Sequence, residues 1–136
     1  MRYWQDAVIF VLGGLLYASA EILFRGWTHP SMFAVGGLCV LLIGKLDSFA
    51  PGLPLAAQAA AGAAIVTGLE LASGLVVNVW LGWNVWDYSA HPLNFMGQIC
   101  PLFTLLWVPA SLFAVFADDA LRRALFRTPI PPYRLF

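Results

Sequence analysis

The sequence predicts an all-α, polytopic membrane protein: four transmembrane helices followed by a short C-terminal interfacial helix. Three observations carry that prediction. First, 61% of the 136 residues are hydrophobic and 10% are charged, whereas water-soluble domains hold about 45–50% and about 25%; the mean hydropathy is +0.81. Second, the apolar residues gather into runs at 7–24, 31–46, 55–80 and 95–117, close to the roughly 17–25 residues that cross a bilayer. Third, the basic residues collect at one side of those runs. Residues 1–136 read as one four-helix transmembrane domain.

The first run, 7–24, has a rival as a cleaved signal peptide, because Ala18-Ser19-Ala20 imitates a small-x-small cleavage site. Asp6 weakens the positive leader region, and with the chain starting at Met1 the run is read as a retained span. The second run, 31–46, is the shortest. Thr28 is the expected cap, Pro30 suits a first turn, and Gly44-Lys45 suits a stop. The third run, 55–80, is the longest and carries Ala60, Ala64, Gly68 and Ala72 at four-residue spacing. That pattern lets membrane helices approach closely, either within the chain or as a homodimer through this third helix. The fourth run, 95–117, leads into an amphipathic segment at 118–128, where Asp118 and Asp119 precede Arg122 and Arg123 by four residues, the favoured order for helical ion pairs. The tail Pro129-Ile130-Pro131-Pro132-Tyr133 is expected to be extended.

Four spans put both termini on one side. Arg2, Lys45, Arg122, Arg123, Arg127 and Arg134 share that side and Arg25 alone lies opposite, so the termini are placed in the cytoplasm of a multi-pass cell-membrane protein. Seven Lys and Arg balance seven Asp and Glu, which excludes a free-standing nucleic-acid binder. Gly44-Lys45 lacks the rest of a phosphate loop, so any ATPase is a separate chain or transporter subunit, and no cofactor is expected. Cys39 and Cys100 lie in apolar runs and read as small buried hydrophobes.

The polar residues inside the runs are concentrated towards the outer side. Glu21, Glu70 and Gln98 all fall in or near that leaflet. A carboxylate at the centre of a span costs about 2.5–3.5 kcal/mol on insertion scales, so it normally faces a partner, a cavity or a pathway. Glu70 is the leading candidate, on a stripe with Thr67, Ser73, Gly74, Val77 and Asn78. Gly13, Tyr17 and Glu21 align on the first helix, and Gly97, Cys100, Thr104 and Trp107 on the fourth. Together they would enclose a polar pocket open outward. A plainer account of Glu21 is an ion pair with Arg25; for Glu70 it is a hydrogen bond to a neighbouring helix.

The outer loop from Trp80 to Asn94 holds four aromatic residues within nine positions, Trp80, Trp83, Trp86 and Tyr88. It should lie at the interface or fold back as a lid, with Asp87, Tyr88, Ser89 and Asn94 bonding backbone at the helix mouth or meeting a solute. The candidate binding residues are therefore Glu70, Glu21, Tyr17, Asn78, Asp87, Tyr88, Asn94 and Gln98. His29 and His91 also lie in outer loops, but no paired ligand spacing supports a metal site.

The order Glu70, Gly74, Asn78, Trp86-Asp87-Tyr88-Ser89, Pro92, Asn94, Gly97, Ile99-Cys100 and Trp107 closely resembles the bacterial membrane family called putative ABC-transporter type IV, or putative ABC transporter permease, whose vertebrate relatives are named transmembrane protein 229. The likeness extends to Gly26-Trp27-Thr28-His29 and Ser31-Met32-Phe33. Leu93 stands where the family often has Phe. The resemblance implies a transport-related membrane protein and brings no catalytic residue with it. The leading reading is a small permease-like protein that moves a small polar or cationic solute or supports a partner that does. One alternative is a membrane-embedded enzyme acting on a lipid head group, for which no nucleophile-and-base pair is present. The other is a non-catalytic scaffold whose Asp-Tyr-Ser block only ties the loop down.

Overall fold

A computed structural model describes residues 3–136, so Arg2, counted above among the inner cations, lies outside the described residues. Helices form where the apolar runs lie, because a backbone in lipid has no water to bond and must pair with itself. The order is α1 (Tyr3–Arg25), α2 (Pro30–Gly44), α3 (Leu46–Phe49), α4 (Leu55–Gly74) and α5 (Pro101–Phe126); α4 continues directly into a π-helical turn, Leu75–Trp80. Three of these are long and apolar enough to cross a membrane: Tyr3–Arg25, Leu55–Trp80 and Pro101–Phe126, of 23, 26 and 26 residues. α2 has 15 residues, or about 22 Å at 1.5 Å per residue, short of a hydrocarbon core of about 30 Å.

Three local expectations are corrected. The cap of α2 is His29, whose ring Nδ1 accepts from the Ser31 amide at 3.1 Å, with Pro30 in the first turn; Thr28 is not the cap. A histidine one residue closer to the helix can reach an orphan amide that Thr28 cannot. The last helix begins at Pro101 rather than near residue 95. Positive φ at Leu93, Met96 and Gly97 keeps 93–100 in turns, and proline then suits the first turn. Finally, 118–128 is no separate interfacial helix, since α5 runs on unbroken to Phe126 and stops at Arg127 with a left-handed cap. Asp118 explains the continuity. It is 1% exposed, bonded to Arg122 Nε at 3.0 Å one turn on, and packed on Gly44 at the end of α2, so this turn is buried in the bundle.

α1 packs along α2, and α4 along α5, while α2 also touches both α4 and α5. The α1–α2 seam is built on glycine. A Cβ at Gly36 would sit 2.5 Å from the Tyr17 Cβ, and one at Gly37 would strike the Phe10 carbonyl oxygen. Missing side chains let the two backbones approach, which is how helices gain contact in lipid without a hydrophobic drive. Between α2, α4 and α5 lies a core of Cys39, Ile43, Val66, Ala114 and Val115. On α4 the packed face is Ala59, Gly62, Ala63, Val66 and Glu70, whereas Ala60, Ala64, Gly68 and Ala72 face outward.

The tail is extended, as its prolines predict, and it has a definite job in the fold. Pro54 caps α4 without a side-chain acceptor. The carbonyls of Arg134 and Leu135 instead accept from the Leu55 and Ala56 amides at 2.7 and 3.0 Å, satisfying donors a helix start leaves unpaired.

Gly37→Ala should lower the stability of the chain in detergent by about 1–3 kcal/mol through overpacking. Gly68→Ala, with nothing within 4 Å of its Cβ, should be neutral or slightly stabilising. Thermal or denaturant melts of the two variants side by side check the difference.

Candidate functional site

At the end of the bundle away from the termini, the segment 81–100 folds back over the helix mouths, and two residues of α4 and its π turn hold it. Glu70 sits two turns below that mouth and is 8% exposed. Its Oε2 accepts from the Tyr88 hydroxyl at 2.8 Å and its Oε1 from the Trp107 indole Nε1 at 2.6 Å. One donor therefore comes from the loop and the other from α5, and the carboxyl group ties both to α4. Tyr88 is oriented by stacking on Phe103 at 4.6 Å and by an edge contact with His91 at 5.7 Å. Burial, with the Glu70 carboxyl beside it, pushes the Tyr88 hydroxyl well above the usual tyrosine range, so it stays a donor.

The second anchor is Asn78. A π turn adds a residue to the helical circuit and so re-aims the side chains it carries. Here Asn78 Oδ1 accepts from the Val85 amide at 2.7 Å and its Nδ2 donates to Gln98 Oε1 at 2.8 Å. Gln98 passes the connection on, donating to the Met96 carbonyl at 2.8 Å, while its own carbonyl accepts from Trp86 Nε1 at 3.1 Å. Gly74 makes room, since a Cβ there would lie 2.5 Å from Gln98 Oε1. Beneath this network Met32, Val77, Val85 and Trp86 form an apolar cluster with Tyr17 and Tyr88 packed against it.

The loop's remaining polar residues bond one another. Asp87 accepts from the Ser89 amide at 2.9 Å and from the Ser89 hydroxyl, and these bonds hold its carboxyl below the usual aspartate range. Asn94 donates to the Ser89 and His91 carbonyls at 3.2 and 2.9 Å and accepts from the Gly97 amide at 3.0 Å. Gly97 has φ +74, and a Cβ there would lie 2.8 Å from both Asp87 Oδ1 and Ser89 Oγ, so no other residue fits the turn. From α1, Arg25 pairs with Glu21 at 2.6 Å, lies over the Trp27 ring at 4.4 Å and donates to the Val85 carbonyl at 3.0 Å.

Of the eight candidates read from sequence, Glu70 and Tyr88 meet directly, and Asn78 and Gln98 meet in the second anchor. Tyr17 packs under the loop, Glu21 is joined to Arg25, and Asp87 and Asn94 shape the loop without reaching Glu70. Gln98 does not open the fourth helix but precedes it. Trp107 and Trp86 were missing from the candidates. A buried indole N–H needs an acceptor, and Trp107 shares its helix face with Thr104, whose hydroxyl meets Thr67 at 3.0 Å; that shared face was the available signal. Among the described residues no three His, Cys, Asp or Glu side chains come together as a metal-binding group.

A family model described as Putative ABC-transporter type IV matches residues 8–131. No solved structure matches the chain.

Glu70→Gln keeps the shape but turns an amide N–H towards one of two donors, and should cost about 1–3 kcal/mol of stability and speed hydrogen exchange at residues 85–89. Acid should act on the loop through Asp87. A carboxyl held below its ordinary value of 3.8 stabilises the fold above that value, and the contribution is lost as pH falls through the lower, folded one. Protection of the Ser89 amide, measured against its intrinsic exchange rate at each pH, should therefore stay flat from neutral pH to about 4 and fall below it, and Asp87→Asn should remove that pH dependence.

Proposed function

Because the chain belongs to the family described as Putative ABC-transporter type IV, we propose that it is a small, permease-like membrane subunit of a transport system, closed at its outer end by a latch on Glu70. The observation that carries this reading is the pairing of both Glu70 oxygens by neutral donors, Tyr88 and Trp107, on two separate elements. A carboxyl group that is 8% exposed, with a donor already on each oxygen, offers a solute no open approach. Withdrawing Tyr88 both lifts the loop and frees one oxygen, so opening the lid and creating a binding group for a small polar or cationic solute become one event.

Four crossings fit this reading. α2 and α3 are separated only by Lys45 and together cover 30–49, about 30 Å of helix when in line, enough for the fourth span. Both termini then lie in the cytoplasm with Lys45, Arg122, Arg123, Arg127 and Arg134, and residues 1–136 form one domain. The small-residue face of α4 is exposed and offers a homodimer contact. The ATPase is a separate chain.

A second reading, the scaffold, is favoured by the self-contained bonding of Asp87, Ser89 and Asn94. Flux of small organic cations into proteoliposomes holding the chain and its co-purified partner separates the two. The latch predicts that Glu70→Gln reduces flux roughly tenfold, the loss of one charge-assisted hydrogen bond. Unchanged flux in Glu70→Gln would sink the latch and leave the scaffold.

A further inference from the structure

The tip of the loop that covers the helix mouths is built inside out. Leu93, Phe95 and Met96 are 86%, 54% and 57% exposed, and Leu93 and Met96 hold φ of +58 and +54. That left-handed region is costly for side chains with no polar atom to bond the nearby backbone, yet here it carries two apolar residues out of the bundle. The polar groups turn inward. Every backbone carbonyl from Phe95 to Cys100 accepts a hydrogen bond from within the chain: Phe95 from the Gln98 amide, Met96 from the Gln98 side chain, Gly97 from the Tyr88 amide, Gln98 from the Trp86 indole, Ile99 from the Phe95 amide and Cys100 from the Thr104 amide. The Asn94 side chain bonds Ser89, His91 and Gly97, all within the loop. A loop that faces water ordinarily leaves its backbone to the solvent and tucks its large apolar side chains beneath.

The start of α5 shows what lies against this tip. No Asp, Glu, Lys or Arg occurs from Tyr88 to Ala117. At the end that carries the termini, the apolar part of α5 stops at a layer of charge, where Asp6, Lys45, Asp118 and Arg122 are joined by ion pairs. Residues 101–117, from the start of α5 to that layer, give about 26 Å of helix at 1.5 Å per residue, against a hydrocarbon core of about 30 Å. The missing few ångströms fall at the level of the loop. Leu102, Leu105 and Leu106 expose an apolar surface close to the start of α5, and Trp27, Trp80 and Trp83 are exposed at the same end of the bundle, as residues that favour headgroup level.

We infer that residues 93–96 are a lipid-binding surface. Their backbone lies at headgroup level in the leaflet on the side away from the termini, and the side chains of Leu93, Phe95 and Met96 reach the acyl chains. Backbone outside a helix approaches hydrocarbon only when its polar groups are paired within the protein, which the run of bonded carbonyls provides. A docking surface for a soluble protein has a polar rim, and this segment brings no charge to one. The Tyr88 amide donates to the Gly97 carbonyl at 2.7 Å, so the tip is fixed to Tyr88 and any lift of the loop withdraws these side chains from lipid. The lipid seat itself holds whether or not Glu70 gates a solute.

Nitroxide labels on Leu93→Cys, Phe95→Cys and Met96→Cys, one at a time in the full-length protein in phosphatidylcholine nanodiscs, test the assignment through collision rates with oxygen, which concentrates among acyl chains, and with a water-soluble nickel chelate. Cys39 and Cys100 are buried, and the unsubstituted protein checks that they stay unlabelled. Leu105→Cys, at a position 69% exposed on α5, is the lipid reference. Oxygen collisions should exceed nickel collisions at all three positions, as at the reference. Nickel in excess of oxygen places the tip in water, and loss of both collisions places it beneath protein, whether a second copy or a co-purified partner; either result overturns the proposal. Leu93→Asn gives a reading without a label. Asparagine suits the left-handed backbone better than leucine, so at a tip in water the substitution raises the Tm, whereas removing leucine from lipid lowers it. A lowered Tm in nanodiscs, with circular dichroism unchanged, is expected; an equal or higher Tm overturns the lipid seat.

Discussion

A carboxyl group buried at lipid depth must be given hydrogen-bond partners, and supplying them to Glu70 organises one whole end of this bundle. Lipid offers no water, so each unmet polar group costs several kcal/mol. The two donors come from places 18 and 37 residues along the chain, Tyr88 and Trp107. Meeting that demand pulls the loop down on α4 and draws α5 against it. The rest of the loop follows: Tyr88 can reach Glu70 only if Phe103 supports its ring, and the backbone around it can turn so tightly only because Gly97 carries no side chain.

The opposite end uses the other solution, charge against charge. Asp6 joins Lys45 and Arg122, so α1, the end of α2 and the last turns of α5 are tied through one carboxylate. Removing one partner of such a pair is expensive because it strands the other, although the intact pair adds little net stability. Its value is register. An α5 that slid by one turn would lose Asp118 from Gly44 and Arg122 from Asp6 together. The tail closes the same end with backbone alone, capping α4 where Pro54 supplies no side chain. Between the two ends the glycine seam sets how closely α1 and α2 lie, with no polar contribution of its own.

Helical class, lipid location and the family were readable from composition, run length and the Trp-Asp-Tyr-Ser block, because each is a property of local sequence. The contact between Tyr88 and Glu70 was half readable: both residues were candidates, but their partnership depends on how far the loop folds back, which no spacing encodes. The choice between Ala60-Ala64-Gly68-Ala72 and Ala59-Gly62-Ala63-Val66 as the packed face of α4 was not readable. Both stripes are small and apolar, and only the bulk of the facing helix decides between them. The unbroken α5 escaped because charged residues at 118–123 resemble a surface helix, while burial of Asp118 is a tertiary fact. A π turn has no local signature of the kind that marks a cap, so the aim of Asn78 was equally hidden.

Under the proposed latch, the placement of the two anchors on one helix gives the loop a direction of motion. Asn78 grips the loop near its start, through the Val85 amide, while Glu70, two helical turns lower, grips it at Tyr88. Trp107 belongs to α5 and stays with Glu70 whether the loop is down or up. Lifting the loop about the Asn78 anchor therefore requires giving up one hydroxyl-to-carboxyl bond and the stacking of Tyr88 on Phe103. A bond to a charged group is worth about 1.5–3 kcal/mol net and an aromatic pair about 0.5–1.5 kcal/mol. Their sum is of the size that keeps an open form at about 3% or less of molecules. A cationic solute could then tip the balance by replacing the hydroxyl donor with an ion pair to the same oxygen, which makes the latch both the barrier to entry and the group that rewards it.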